Sequence, residues 1–300
     1  MVFCKMRNGF KRNSKWTFFT AGLLVAGFFF LADTGASIES QSQPFSSVQK
    51  QLIADGFEPL KIKQLYSRPQ VSFEADGVIL LFTYKEAQVN YGQFTNKWSI
   101  RKANQYLQEN NADLTRIEKK YGVDKKVITA ILLVETGLGA SVGTRSTLNT
   151  LSTMAALKDP TVRNKLWDLI PESKKISRKK FEKKAASRSN WAYKELKAFL
   201  EYTSREGFDP ALVPGSFAGA VGVAQFMPSS IIAYGQDGNG DGMVDMLNHA
   251  DSMASIANFL KSHGWRPKQS RKKAEKIIYH YNHSSYYVDI ILKISSRLKS

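Results

Sequence analysis

The sequence predicts a mainly α fold, and three observations carry that expectation. From Ser99 onward, apolar residues recur at the 3.6-residue helical spacing in one segment after another. Strand signal is confined to residues 71–84 (VSFEADGVILLFTY), two β-rich runs broken by Ala75-Asp76-Gly77 as in a short hairpin. Of the 300 residues 43% are hydrophobic, with 20 Gly and 9 Pro, a globular composition that excludes whole-chain disorder and collagen-like repetition.

The elements follow in order. Residues 1–15 carry Lys5, Arg7, Lys11, Arg12 and Lys15 with no acid, and residues 16–32 (WTFFTAGLLVAGFFFLA) are all apolar or small. This is the pattern of an export signal, and Thr34-Gly35-Ala36 supplies small side chains for cleavage after Ala36. An uncleaved anchor is the alternative, on a run somewhat shorter than the ~20 residues of a bilayer span. The one cysteine, Cys4, lies inside this segment, so the mature chain has no disulfide framework, thiol nucleophile or thiolate metal site. Residues 37–47 (SIESQSQPFSS) read as a polar linker, 48–66 as one weakly amphipathic helix and 71–84 as the hairpin. Helices are expected over 99–110, 113–121, 124–135, 190–206, 229–234, 250–263 and 273–280. The layout is an N-terminal helical and β segment at 48–98, a core from 99–157 and 207–300, and a basic insertion at 158–206.

Charge sets the class of partner. The chain holds 43 Lys+Arg against 26 Asp+Glu, a formal +17; without residues 1–36 it keeps 38 against 25, or +13. Something anionic is the expected partner. Residues 171–188 (PESKKISRKKFEKKAASR) hold eight Lys/Arg against two Glu, and residues 266–276 hold six Lys/Arg. Each reads either as a solvated face or as a landing patch for an acidic polymer.

One carboxylate stands out. Asp124 suits the cap of a helix whose apolar positions Val127, Ile128, Ile131 and Leu132 point inward, and Glu135 continues that stripe. Gly137 then suits a left-handed C-terminal cap. A carboxyl in apolar surroundings has a raised pKa and can donate a proton near neutral pH, as to a glycosidic oxygen. The plain alternative is a structural glutamate paired with a buried cation.

Further along, residues 215–230 (GSFAGAVGVAQFMPSS) combine three Gly and three Ala, which permits close backbone approach to a helix or a ligand. Gln225 is its one amide, suited to a sugar hydroxyl or to tying down a loop. Asp237-Gly-Asn239-Gly-Asp241-Gly242 fits the first six positions of an EF-hand loop, with Met243 giving a backbone carbonyl at the seventh and Asn248 standing where a bidentate Glu is expected. The expected ligand is a weakly held structural Ca2+, with Asp245 or Asp251 assisting; an Asp/Asn/Gly turn without an ion is the alternative. Residues 278–288 (IYHYNHSSYYV) are crowded with hydrogen-bonding aromatics suited to a sugar cleft, and His280 and His283 read as cleft or surface residues rather than metal ligands. No nucleophile elbow, P-loop or dinucleotide fingerprint appears.

Val134-Glu135-Thr136 after an apolar helix, the 215–230 run directly before the 237–248 loop, His263-Gly264-Trp265 and Tyr281-Asn282 together resemble the lytic murein transglycosylase B family over residues 51–292. The resemblance implies a lysozyme-like catalytic core with a small β element. It implies that Glu135 cleaves the β-1,4 bond between N-acetylmuramic acid and N-acetylglucosamine, leaving a 1,6-anhydro sugar; a hydrolytic muramidase or a non-catalytic wall-binding protein is the alternative. It further implies substrate contacts at Tyr91, Ser216, Gln225, Tyr281 and Asn282. The expected partners are glycan strands and an anionic wall or membrane surface, not nucleic acid; the expected state is a monomer in the periplasm or cell envelope.

Overall fold

The computed structural model describes residues 44–83 and 91–299. The leader at 1–36, most of the linker behind it and Tyr84 lie outside the described residues. Where one helix is expected over 48–66 there are two, α1 (Ser46–Ala54) and α2 (Pro59–Tyr66). Gly56 between them takes φ +96°, and Pro59 opens α2, where its missing N–H costs nothing. Tyr66 then pins α2 to the core through a 2.7 Å bond to Ser152.

The expected hairpin over 71–84 is not formed: Ala75–Thr83 is a helix, α3. The Glu74 side chain accepts the Gly77 N–H at 2.9 Å, as a helix cap does. Val78, Leu81 and Phe82, at helical spacing, are buried where α3 meets the helices Thr147–Ala156 and Pro160–Leu169. Burial on one face overrides the local β preference of Val, Ile and Phe. Strand pairing occurs elsewhere, between β1 (Arg145–Ser146) and β2 (Pro214–Gly215), an antiparallel pair with Arg145 opposite Gly215.

The centre of the fold is α6 (Lys125–Thr136), in which every residue from Val127 to Thr136 is buried. Asp124 caps it by accepting the Lys126 N–H, and Gly137 ends it at φ +62°. Around it stand α4 (Lys97–Glu109), α5 (Asn111–Tyr121), α11 (His249–Ser262) and α13 (Ser285–Ser295), with α12 (Arg271–Tyr281) leading into α13. A second layer consists of α7 (Thr147–Ala156), α8 (Pro160–Leu169), α9 (Arg178–Arg205) and α10 (Pro228–Tyr234). In α7 (TLNTLSTMAA) all ten residues are buried although half are Thr, Ser or Asn, so no amphipathic stripe marks it.

Residues 178–188 of the basic stretch and the helix expected over 190–206 form the single 28-residue α9, which packs on α7 and α10 and buries Ala185, Ser189, Ala192 and Phe181, the last between the rings of Phe82 and Trp167. Its Glu195 carboxylate holds the start of α10, accepting the Ser229 N–H at 2.9 Å and the Ser229 hydroxyl at 2.8 Å. That fixes one end of the 215–230 run. No helix among the described residues is long and apolar enough to cross a membrane.

Candidate active site

Glu135 lies one residue before the end of α6 and is 1% exposed. Its Oε1 accepts a 2.7 Å hydrogen bond from the Tyr287 hydroxyl, while Oε2 is buried without a protein partner. Burial pushes the carboxyl up from an ordinary 4.5 to about 7, partly offset by the Tyr287 bond, which favours the charged form. Neither Lys nor Arg nor His forms an ion pair with it among the described residues, so the paired-structural-glutamate reading has no support there.

Tyr287 is placed by a local rule. Ser284 caps α13 and accepts the Tyr287 N–H, which sets Tyr287 on the first turn of a helix packed against α6. Tyr281, at the end of α12, stacks on Tyr287 with ring centroids 6.3 Å apart and 8° between planes. The Tyr281 hydroxyl donates to the Ala224 carbonyl at 2.7 Å, joining the two tyrosines to the small-residue run. Asn282 follows at the α12–α13 junction, 9% exposed. Tyr91 begins a 3-10 turn over Tyr91–Phe94 and stacks on the exposed Tyr286, with centroids at 6.5 Å.

The run itself is tied to α6. Thr136 donates to the Val223 carbonyl at 2.9 Å, and Gln225 Nε2 donates to Val142, just beyond α6, at 3.1 Å and to Gly222 at 2.9 Å. Gln225 holds a left-handed φ of +51°, and its Oε1 is buried without a protein partner. A non-glycine residue in that region is strained, and such strain collects at functional sites. Ser216 is spent within the loop, its Oγ accepting the Ala218 and Ala220 N–H groups at 3.3 and 3.0 Å. Glycine is required at 222, where φ is +76° and a Cβ would collide with the Met246 carbonyl.

The structure thus links Glu135 through Tyr287 to Tyr281 and, through Ala224, to the loop that carries Gln225; Asn282 follows Tyr281 in the chain, Tyr91 stacks on Tyr286 of α13, and Tyr287 is a residue the sequence reading passed over. A local signal is present: Ser284 three positions earlier is an N-cap that places Tyr287 on the first turn of α13. His280 and His283 are exposed, and His280 lies beside His263, with centroids 4.9 Å apart.

The 237–248 loop is a separate feature, held by α5, α9 and α11. Asp237 accepts from Gly242 at 2.8 Å and Gly240 at 2.5 Å, which keeps its carboxyl below the usual range. Asn239 and Asp241 follow on exposed alternate positions. These oxygen donors, with the Met243 carbonyl, suit a hard cation. Asn248 caps α11 instead, its Oδ1 accepting from Ala250 and Asp251. Asp251 is fully buried and committed to the Gly238, Asn239 and Asp245 N–H groups. The donor set therefore fits a cation through Asp237, Asn239 and Asp241, without a bidentate carboxylate at the twelfth position. Among the described residues no cluster of three or more His, Cys, Asp or Glu forms, in keeping with so few carboxylates. The loop meets the small-residue run at Met246, whose carbonyl accepts the Val223 N–H at 2.8 Å.

With this geometry in view, comparison with known proteins is decisive: the profile of the Transglycosylase SLT domain family matches residues 40–276. The chain belongs to that family. It is 32% identical over 152 residues to the membrane-bound lytic murein transglycosylase B of Escherichia coli (strain K12), a match covering 51% of this chain and 35% of that protein. The chain thus spans about a third of that relative's length. Among solved structures it is similar to the soluble lytic transglycosylase SltB1 of Pseudomonas aeruginosa, at 21% identity, 84% coverage of this chain and 96% of that one, and a TM-score of 0.69. It is also similar to SltB3 of the same organism in complex with NAG-anhNAM-pentapeptide, at 18% identity, 83% and 76% coverage, and a TM-score of 0.66. The fold is therefore the mainly α, lysozyme-like fold of these transglycosylases.

Proposed function

We propose that the protein is a peptidoglycan lytic transglycosylase that cleaves the β-1,4 bond between N-acetylmuramic acid and N-acetylglucosamine. The observation that carries this reading is Glu135: one buried carboxyl held near pH 7, one oxygen anchored by Tyr287 and the other without a protein partner. A group in that state serves as acid and then as base.

In the first step the proton on Glu135 passes to the glycosidic oxygen as the bond to muramoyl C1 breaks, and the neighbouring N-acetyl carbonyl oxygen bonds to C1. In the second, the Glu135 carboxylate takes the proton of the muramoyl 6-hydroxyl while that oxygen bonds to C1 and the carbonyl leaves. The product is a 1,6-anhydro sugar, water is not consumed, and Glu135 ends protonated as it began. A single carboxyl suffices because the nucleophile belongs to the substrate, unlike the two-carboxylate glycosidase scheme. Tyr287 holds the carboxyl in place, while Gln225, Asn282, Tyr281 and Tyr91 shape the sugar site.

The 237–248 loop would hold Ca2+ through Asp237, Asn239 and Asp241, where the ion would add stability rather than chemistry. Export to the cell envelope, by signal or anchor, matches the basic charge, for which wall and membrane surfaces are anionic partners.

Digestion of purified sacculi in heavy-oxygen water tests the reading. Anhydro muropeptides without label are expected. Label at new reducing ends would make the protein a muramidase, and no release at all would make it a binding protein.

A further inference from the structure

The outward face of α4 carries a charge pattern that the reaction at Glu135 does not use. Ser99, Ala103, Tyr106 and Leu107 bury one side of α4 against its neighbours, α6 among them, and leave Lys97, Trp98, Arg101 and Lys102 exposed on the other. The C-terminal tail lies along that helix: Arg297 donates to the Thr95 carbonyl at 2.6 Å, and the Lys299 N–H donates to Asn104 Oδ1 at 2.8 Å. Lys97, Arg101, Arg297 and Lys299 line one open cavity of about 480 Å3, with no carboxylate in its wall. None of the four forms an ion pair among the described residues, and the acids nearby are engaged elsewhere: Glu109 accepts from Gln105 at 2.7 Å, and Asp113 pairs with Arg116. Trp98 stands at the edge of this charge, 61% exposed, with the Lys102 ammonium 4.0 Å over its ring.

Resting on the proposed function and its export, we propose that this face docks on a bilayer surface bearing anionic phospholipid, with lipid phosphates in the four-cation cavity and Trp98 at headgroup depth. Like charges gathered without a counter-charge repel one another, and an array of fixed anions removes that repulsion. The exposed indole selects among anions. A soluble polyanion needs only the cations, whereas a ring with an apolar body and one N–H settles between headgroups and acyl chains. Because α6 packs on the buried side of α4, a docked chain keeps the helix of Glu135 off the lipid.

Trp98 itself reports the contact. The full chain is labelled with fluorotryptophan, its Trp98 resonance is identified with Trp98→Phe, and it is mixed with headgroup-spin-labelled vesicles of phosphatidylcholine, with or without phosphatidylglycerol. The Trp98 line is expected to broaden on phosphatidylglycerol vesicles, to stay sharp on phosphatidylcholine and to recover at high salt. Partitioning onto phosphatidylglycerol vesicles is expected to fall about fivefold for each cation removed in Lys97→Gln and Lys97→Gln/Arg101→Gln. Residues 1–36, common to every chain, cancel in that ratio. Release of muropeptides from soluble strands is expected to stay at the wild-type level in both variants. A Trp98 line unmoved by phosphatidylglycerol vesicles, or moved alike by both lipids, overturns the proposal. So does a line that soluble polyphosphate moves and vesicles do not, which makes the cavity a phosphate-polymer site. The readout needs no cleavage: a chain that docks through Trp98 but releases no muropeptides loses the proposed function and keeps this face, while an active chain with an unmoved line loses the face alone.

Discussion

Glu135 and Asp237 are the same functional group in opposite surroundings. Glu135 is buried at the end of α6, takes one hydrogen bond from a neutral phenol and is raised to about 7. Asp237, on an open loop, takes backbone N–H bonds from Gly242 and Gly240 and is lowered. Desolvation without compensation makes a carboxyl into a proton carrier; amide donation to an accessible carboxylate makes it into a fixed anion that organises a loop and suits a cation. The two regions meet where Val223 donates to the Met246 carbonyl, and each is expected to be alterable with modest effect on the other.

Glu135→Gln should have the largest effect, lowering the release of muropeptides by roughly 10²–10⁴-fold without unfolding the protein. The same substitution tests the burial half of the contrast. Because folding favours the protonated carboxyl, its stability contribution is full below about 4.5 and lost as pH rises to about 7. At pH 8 the variant should therefore be more stable than the wild type, by up to about 3 kcal/mol, with the gap closing toward pH 4. Melting curves across that range measure it, and a pH-independent gap would remove the burial argument.

Gly222→Ala strikes the junction between the two regions. A Cβ on the Met246 carbonyl at positive φ should cost about 2–4 kcal/mol and lower both activity and any response to calcium, read by chemical denaturation and assay together. Tyr287→Phe should cost roughly 1 kcal/mol. Since the phenol favours the charged carboxyl, its loss should also move the alkaline limb of kcat/KM to higher pH. The smallest effect belongs to the loop: millimolar calcium should raise the melting temperature by a few degrees, and Asp237→Asn should abolish the rise while leaving the pH profile in place.

The site was more legible in the sequence than its framework. Asp124, the apolar stripe and Gly137 located α6, and Glu135 upon it, because caps and periodicity are local rules. The 71–84 segment misled because Val78, Ile79 and Phe82 are strand-favouring residues whose helical state is decided by burial against other helices. No periodic signal exists for α7, polar in composition yet buried all round. The basic stretch concealed the first half of α9, since two buried positions, Phe181 and Ala185, among the eight Lys and Arg of residues 171–188 look like a solvated face. For Tyr287 the Ser284 cap marks only its place on the first turn of α13; that it meets Glu135 arises from α13 docking on α6, a tertiary fact.

The most direct test of the central claim is the titration of Glu135 itself, followed by carboxyl carbon NMR with Glu135→Gln identifying the resonance. The account predicts a midpoint near pH 7 in the wild type, shifted upward in Tyr287→Phe. A midpoint near the ordinary 4.5 would contradict it, because the carboxyl would then be ionised at neutral pH and unable to protonate the leaving oxygen.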